Sequence, residues 1–259
     1  MQIQQNHIDI RYFLRRICLT GGIFLTGMVL SSFHVIREST ITFVADDGLV
    51  VTADQYMTAG DNPFILLFHE QESSRGEYQH IARRLCNMEY NCLAVDTRNG
   101  GSKNYVSNET AKRCREKRCP TSAADIELDM LAAIRYAGQQ SNQPVILFGS
   151  GANGSLCLKI AMEQEQVRAV IALSPGEYFL PSLRIEDTIA GMKKPVFITS
   201  SQSEFPYVSQ LAAGVDPQYL TLFEPQLGEG ARGTSALTEE NAQNSEYWFA
   251  LLLFFKDLI

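Results

Sequence analysis

Val145-Ile-Leu-Phe-Gly-Ser-Gly-Ala-Asn-Gly-Ser-Leu-Cys-Leu-Lys-Ile-Ala161 is the stretch on which the fold turns. A short apolar run, Val145 to Phe148, meets a cluster of small residues and leaves as an amphipathic helix. A strand, a tight turn and a helix in this order can present a nucleophile at the apex of the turn. Such a turn needs small residues beside the apex, because strand and helix backbones nearly touch there. Gly149 fits the position two before the apex, which makes residue 151 the apex, and residue 151 is glycine. Shifting the frame by one to use Ser150 places bulky Phe148 where a small residue is required. The turn is present and its nucleophile is missing.

Outward from this stretch, strands alternate with helices. Ile41 to Ala45 and Leu49 to Met57 read as strands joined at Asp46-Asp47-Gly48, a hairpin signal. Residues 63–69 form a continuous apolar run, the mark of a strand buried on both faces. A helix carrying Tyr78, Ile81, Ala82 and Leu85 follows, then a strand from Cys92 to Asp96. Residues 97–121 are a polar insert with Gly100-Gly101 and the basic cluster Lys112, Arg113, Arg115, Lys117 and Arg118, expected to overhang a pocket as a solvated helix or loop, with phosphate binding as the alternative. A helix from Ser122 buries Ile126, Met130, Leu131, Ile134 and Ala137. Beyond the turn come a strand at 169–173, a helix at 182–191 and a strand at 195–200. A helix at 207–213, a strand at 219–223 and an apolar helix at 239–258 close the chain. This alternation predicts an α/β fold, a mostly parallel sheet with helices on both faces.

The 259 residues, 45% hydrophobic, suit one globular domain over 40–259. Arg11, Arg15 and Arg16 in a basic flank (1–16) precede an apolar segment at 17–36, which contains no carboxylate, Lys or Arg. About 20 such residues span a bilayer, and the basic flank orients them with the domain exported. A retained anchor in the inner membrane is expected. A cleaved signal near Ser31 and Ser32, leaving a periplasmic or secreted domain, is the alternative. A net charge of -7 argues against a nucleic-acid partner. Of six cysteines, Cys114 and Cys119 share one polar stretch and are the expected disulfide in an oxidising compartment. Cys86 and Cys92 are a weaker pair, and Cys157 reads as a small buried residue. No histidine lies near the cysteines, so no metal or other cofactor is expected.

From about residue 40 onward the chain resembles the α/β-hydrolase superfamily, and more narrowly its small dienelactone-hydrolase or esterase-like branch. FHEQESSRGEY (68–78), LAVDTRNGG (93–101), SPGEYF (174–179) and RGTSAL (232–237) carry the likeness. The resemblance implies a nucleophile at the turn, an acid after the strand near residue 200 and a histidine in a late loop. These three would act as one unit. Their positions here hold Gly151, Glu204 and Arg232. It also implies oxyanion donors near Glu70-Gln71 and at Ala152, with Glu70 standing where glycine is usual.

Composition reinforces the point. The four histidines are His7, His34, His69 and His80, so none follows the turn. Arginine stays protonated and cannot act as the base. The expectation is therefore a pseudo-hydrolase that binds a small molecule or a protein partner, with Arg232 and Glu204 paired across the old site. The competing reading is an active ester or lactone hydrolase that uses Ser150 with His69 as base and Glu204 as acid. There Ser150 is set against a side chain pointing into the sheet, and His69 against a ring that only holds its loop. A third reading is a folded copy with no ligand. Oligomeric state has no signature in the sequence.

Overall fold

The computed structural model describes residues 35–58 and 61–258. The basic flank and the apolar segment up to residue 34, Cys18 included, lie outside the described residues. Val35 and Ile36 form a non-helical lead into the first strand. Among the described residues no helix is long and apolar enough to cross a membrane.

Asp46-Asp47-Gly48 turns the chain between β1 (Arg37–Val44) and β2 (Val50–Met57), which pair antiparallel. The apolar run then forms β3 (Phe64–Phe68), α1 (Gln79–Cys86) follows, and β4 (Asn91–Val95) returns parallel to β3. The insert folds as a two-stranded ribbon, β5 (Ser102–Lys103) and β6 (Val106–Ser107), and α2 (Glu109–Lys117). The long α3 (Ala123–Gln140) leads to β7 (Val145–Ser150), α4 (Gly151–Glu163) and β8 (Val167–Leu173). Short α5 (Ile185–Thr188), β9 (Val196–Thr199), α6 (Phe205–Ala212), β10 (Leu220–Phe223) and α7 (Asn244–Asp257) complete the domain.

The main sheet has eight strands in the order β1-β2-β4-β3-β7-β8-β9-β10, and every pairing from β4 to β10 is parallel. Period-two alternation divides the core between the faces. Phe64, Leu66 and Phe68 of β3 pack with Met130, Ala133, Leu156 and Val208, while Ile65 and Leu67 pack with Ile81, Trp248 and Leu251. Parallel strands covered on both faces must be apolar throughout, and every residue of β3, β4 and β7 is buried.

Two expectations change. The helix at 182–191 shrinks to four residues, because Ile185 alone of them is buried and Gly191 follows at φ 76°. The last helix starts at Asn244 rather than near 239, since residues 233–237 form a separate 3-10 turn and Asn241 bonds the Ala236 carbonyl. The insert supplies a helix, α2, as expected, and its cap Asn108 reaches His69. This helix packs on β2, with Arg113 on the Val50 carbonyl and Thr52.

The predicted Cys114–Cys119 disulfide is absent, and Cys86, Cys92 and Cys157 are free as well. Arg118 caps α2 in the left-handed conformation and the Cys119 N–H returns to the Cys114 carbonyl, so backbone bonds close this loop. The buried Cys114 thiol donates to the Cys119 carbonyl at 3.5 Å. Burial, and then the neighbouring Cys119 thiol, push it up to about 12.

Candidate functional site

β3 and β7 are adjacent in the sheet although α1, β4, the insert and α3 lie between them in sequence. The chain leaves β3 towards one edge and resumes at β7 towards the other. Crevices at the carboxyl ends of such strands are where open α/β sheets hold ligands. Here that crevice brings together residues 69–70 and 150–151.

The turn has the backbone of a nucleophile elbow. Ser150 is extended, and Gly151 takes φ 56° before α4 begins. Strand and helix approach so closely that a Cβ on Gly149 would lie 2.7 Å from Gly154 Cα and from Cys157 Sγ. The left-handed apex conformation is kept although the residue there has no side chain.

Glu70 occupies the apex instead. A Cβ at position 151 would lie 2.8 Å from Glu70 Cδ. Glu70 Oε1 accepts from Arg232 Nη2 at 2.7 Å and from Nε at 3.2 Å, and Oε2 accepts from the Ser150 hydroxyl at 3.2 Å. Arg232 also pairs with Glu204 Oε1 and donates to the Tyr178 hydroxyl at 2.7 Å. Its guanidinium carbon lies 5.7 Å from the Tyr178 ring centroid. Glu204 Oε2 takes the Ser174 and Ser201 hydroxyls at 2.8 and 3.0 Å. Partial burial works against the Arg232 charge, but hydrogen bonds to Glu70 and Tyr178 outweigh it and hold its pKa above the usual arginine value. Burial raises the Tyr178 phenol, so it stays a neutral partner.

Glu204 and Arg232 therefore pair, and Glu70 joins them. Ser150 and His69, paired in the competing reading, have different partners. Ser150 is fully buried, and its hydroxyl belongs to Glu70. His69 is also fully buried, and its Nδ1 lies 2.7 Å from the Glu70 carbonyl. A carbonyl only accepts, so Nδ1 carries the proton and Nε2 is the acceptor, a tautomer assigned from the hydrogen bonds. The Thr97 N–H and Asn108 Nδ2 both reach Nε2 at 3.0 Å. The lone pair a general base needs is already committed, and His69 braces the loops after β3 and β4.

The oxyanion positions are divided. Gln71 is exposed in the turn after Glu70, and Ala152 is buried in the first turn of α4. The Glu70 N–H donates to Glu77 Oε2 at 3.0 Å, and Glu77 also accepts from Thr234 at 2.7 Å. Sequence reasoning missed Tyr178, Ser174 and Asn108. Tyr178 and Ser174 lay within a quoted motif, but their partners Arg232 and Glu204 are 54 and 30 residues away in sequence, and no local signal joins them. Beside the cluster, Tyr178 and Glu204 also line a cavity of about 440 Å³, together with Glu186, Tyr207, Val208 and Leu211.

No family model matches the sequence, and no curated protein matches it. Solved structures are similar. An esterase from Pyrococcus furiosus superposes with a TM-score of 0.63 at 14% identity, over 86% of this chain and 90% of that one. A dienelactone hydrolase from Anabaena variabilis gives 0.62 at 16% identity, over 85% and 96%. An α/β hydrolase from a Penicillium species gives 0.67 at 12% identity, over 85% and 98%. The described domain has the α/β-hydrolase fold.

Proposed function

We propose that this α/β-hydrolase-fold domain is a pseudo-hydrolase that works by binding a ligand or partner at the remodelled elbow. The observation that carries this reading is the Glu70–Arg232–Glu204 bridge closed over Gly151. Acyl transfer on this fold needs a nucleophile at the apex, a base able to take its proton and a free oxyanion pocket. Position 151 supplies no nucleophile, Arg232 is a permanent cation, and the Glu70 side chain fills the space. Removing members of a unit that acts together costs orders of magnitude in rate. Fold likeness to esterases supplies no activity by itself, because function resides in the site.

Among the described residues the Ser150 hydroxyl bonds Glu70, which is itself held by Arg232 and is a poor base for a hydrolase built on Ser150. Labelling the full chain with a fluorophosphonate probe, with adducts mapped by mass spectrometry, tests the proposal. A folded sample should carry no adduct. Stoichiometric modification of Ser150 would overturn the reading.

The arginines at 11, 15 and 16 and the apolar segment 17–36 support an exported domain held at the inner membrane by its N-terminus. Protease added to intact spheroplasts should digest the domain, and full protection would reverse the orientation.

A further inference from the structure

The cluster around Arg232 has the form of a receptor with its ligand in place. Two carboxylates, a phenol hydroxyl and an aromatic ring converge on one guanidinium. Glu70 takes its Nε and Nη2, Glu204 takes Nη1, and Tyr178 combines a hydrogen bond to Nη2 with a ring 5.7 Å from the guanidinium carbon. Planar, forked hydrogen bonding and a π face are what a guanidinium selects. The side chain that fills the cage is 46% exposed.

The surroundings favour a cation. Glu70, Glu177, Glu186 and Glu204 line the cage and the cavity beside it, against two arginines, Arg184 and Arg232. Clefts lined by one sign of charge concentrate ions of the other. The neighbouring cavity of about 440 Å³ shares Tyr178 and Glu204 with the cage and continues along Tyr207, Val208 and Leu211. A short aliphatic tail fits that wall.

We propose that this is a guanidinium-binding cage with Arg232 as its tethered occupant. Its ligand is an aliphatic guanidinium compound whose head displaces Arg232 and whose tail enters the adjoining cavity. The proposal rests on reading the site as a binding site rather than a hydrolytic one.

Calorimetric titration of the full chain with n-butylguanidinium and its neutral isostere n-butylurea tests it. The native chain should bind the cation and not the urea. Arg232→Ala should bind the cation at least about tenfold tighter, because a competing occupant reduces apparent affinity by the fraction of sites left empty. Glu70→Gln with Glu204→Gln in that background should abolish the gain. Equal binding of cation and urea, or no tightening in Arg232→Ala, overturns the cage.

A second arm avoids any dependence on the folding of Arg232→Ala. Tyr207→Ala in the otherwise native chain should weaken n-butylguanidinium and leave methylguanidinium unchanged. Equal loss for both, or none, overturns the placement of the tail. Fluorophosphonate labelling of the same preparations reports separately on the hydrolytic reading, so the two failures are distinguishable.

Discussion

The Glu70 carboxylate stands where a side chain on Gly151 would have to go, held there by Arg232 and by the Ser150 hydroxyl. Restoring a nucleophile therefore meets an occupied site. Gly151→Ser should destabilise the domain by about 1–3 kcal/mol, from overpacking and from a side chain at positive φ. It should hydrolyse no fluorogenic acetate ester. Gly151→Ser with Arg232→His should remain inert while Glu70 is present. Adding Glu70→Gly should bring ester hydrolysis above background, since it clears the apex for the new serine and for an oxyanion beside it. Activity in the single variant would show that another base is in reach.

Arg98 is buried against Asp129, with Oδ1 at 2.8 Å from Nη2 and neither side chain exposed. Burial raises the Asp129 pKa and the Arg98 hydrogen bonds oppose this, so the pair is viable only intact. Asp129→Ala should cost about 3–5 kcal/mol by taking two charge-assisted bonds from the buried Arg98 guanidinium and leaving Asp47, at 2.7 Å, to balance it. Urea unfolding should show a lower midpoint at unchanged slope. A loss below about 1 kcal/mol would contradict this account.

Asn108 caps α2 through the Ala111 N–H at 2.7 Å and donates to His69 Nε2 and the Thr97 carbonyl. Asn108→Ala should cost about 2–3 kcal/mol, combining a lost cap with unsatisfied buried acceptors. Hydrogen exchange should accelerate in α2 and in the 69–76 loop together. Acceleration confined to α2 would show that the His69 link contributes little.

Asp47 bonds Arg98, which together with a smaller contribution from the Leu49 N–H outweighs desolvation and holds its carboxyl below the ordinary value of 3.8. A carboxyl lowered by folding stabilises the protein above its unfolded pKa and loses that contribution as pH falls through the folded one. Stability measured from pH 5 to 2 should therefore fall more steeply in the native chain than in Asp47→Asn. The difference between the two separates this group from Asp96, whose raised value acts in the opposite sense. Parallel curves would remove Asp47 from the acid response.

Amino-acid order alone determined the layered sheet, because buried parallel strands and amphipathic helices leave periodicities of two and 3.6 in the residues themselves. Residue identity alone also set the expectation that the triad is missing. Glycine has no nucleophile, arginine is no base, and no histidine follows His80. What fills the vacated apex was decided by tertiary structure. Glu70 and Ser150 are 80 residues apart and meet only because β3 and β7 are neighbours at the sheet's switch point. The same holds for His69, whose loop-bracing role depends on Thr97 and Asn108 arriving from β4 and the insert. Helix and strand patterns are local and read directly from the chain. Which carboxylate turns into which crevice depends on packing between distant segments, and no local pattern encodes it.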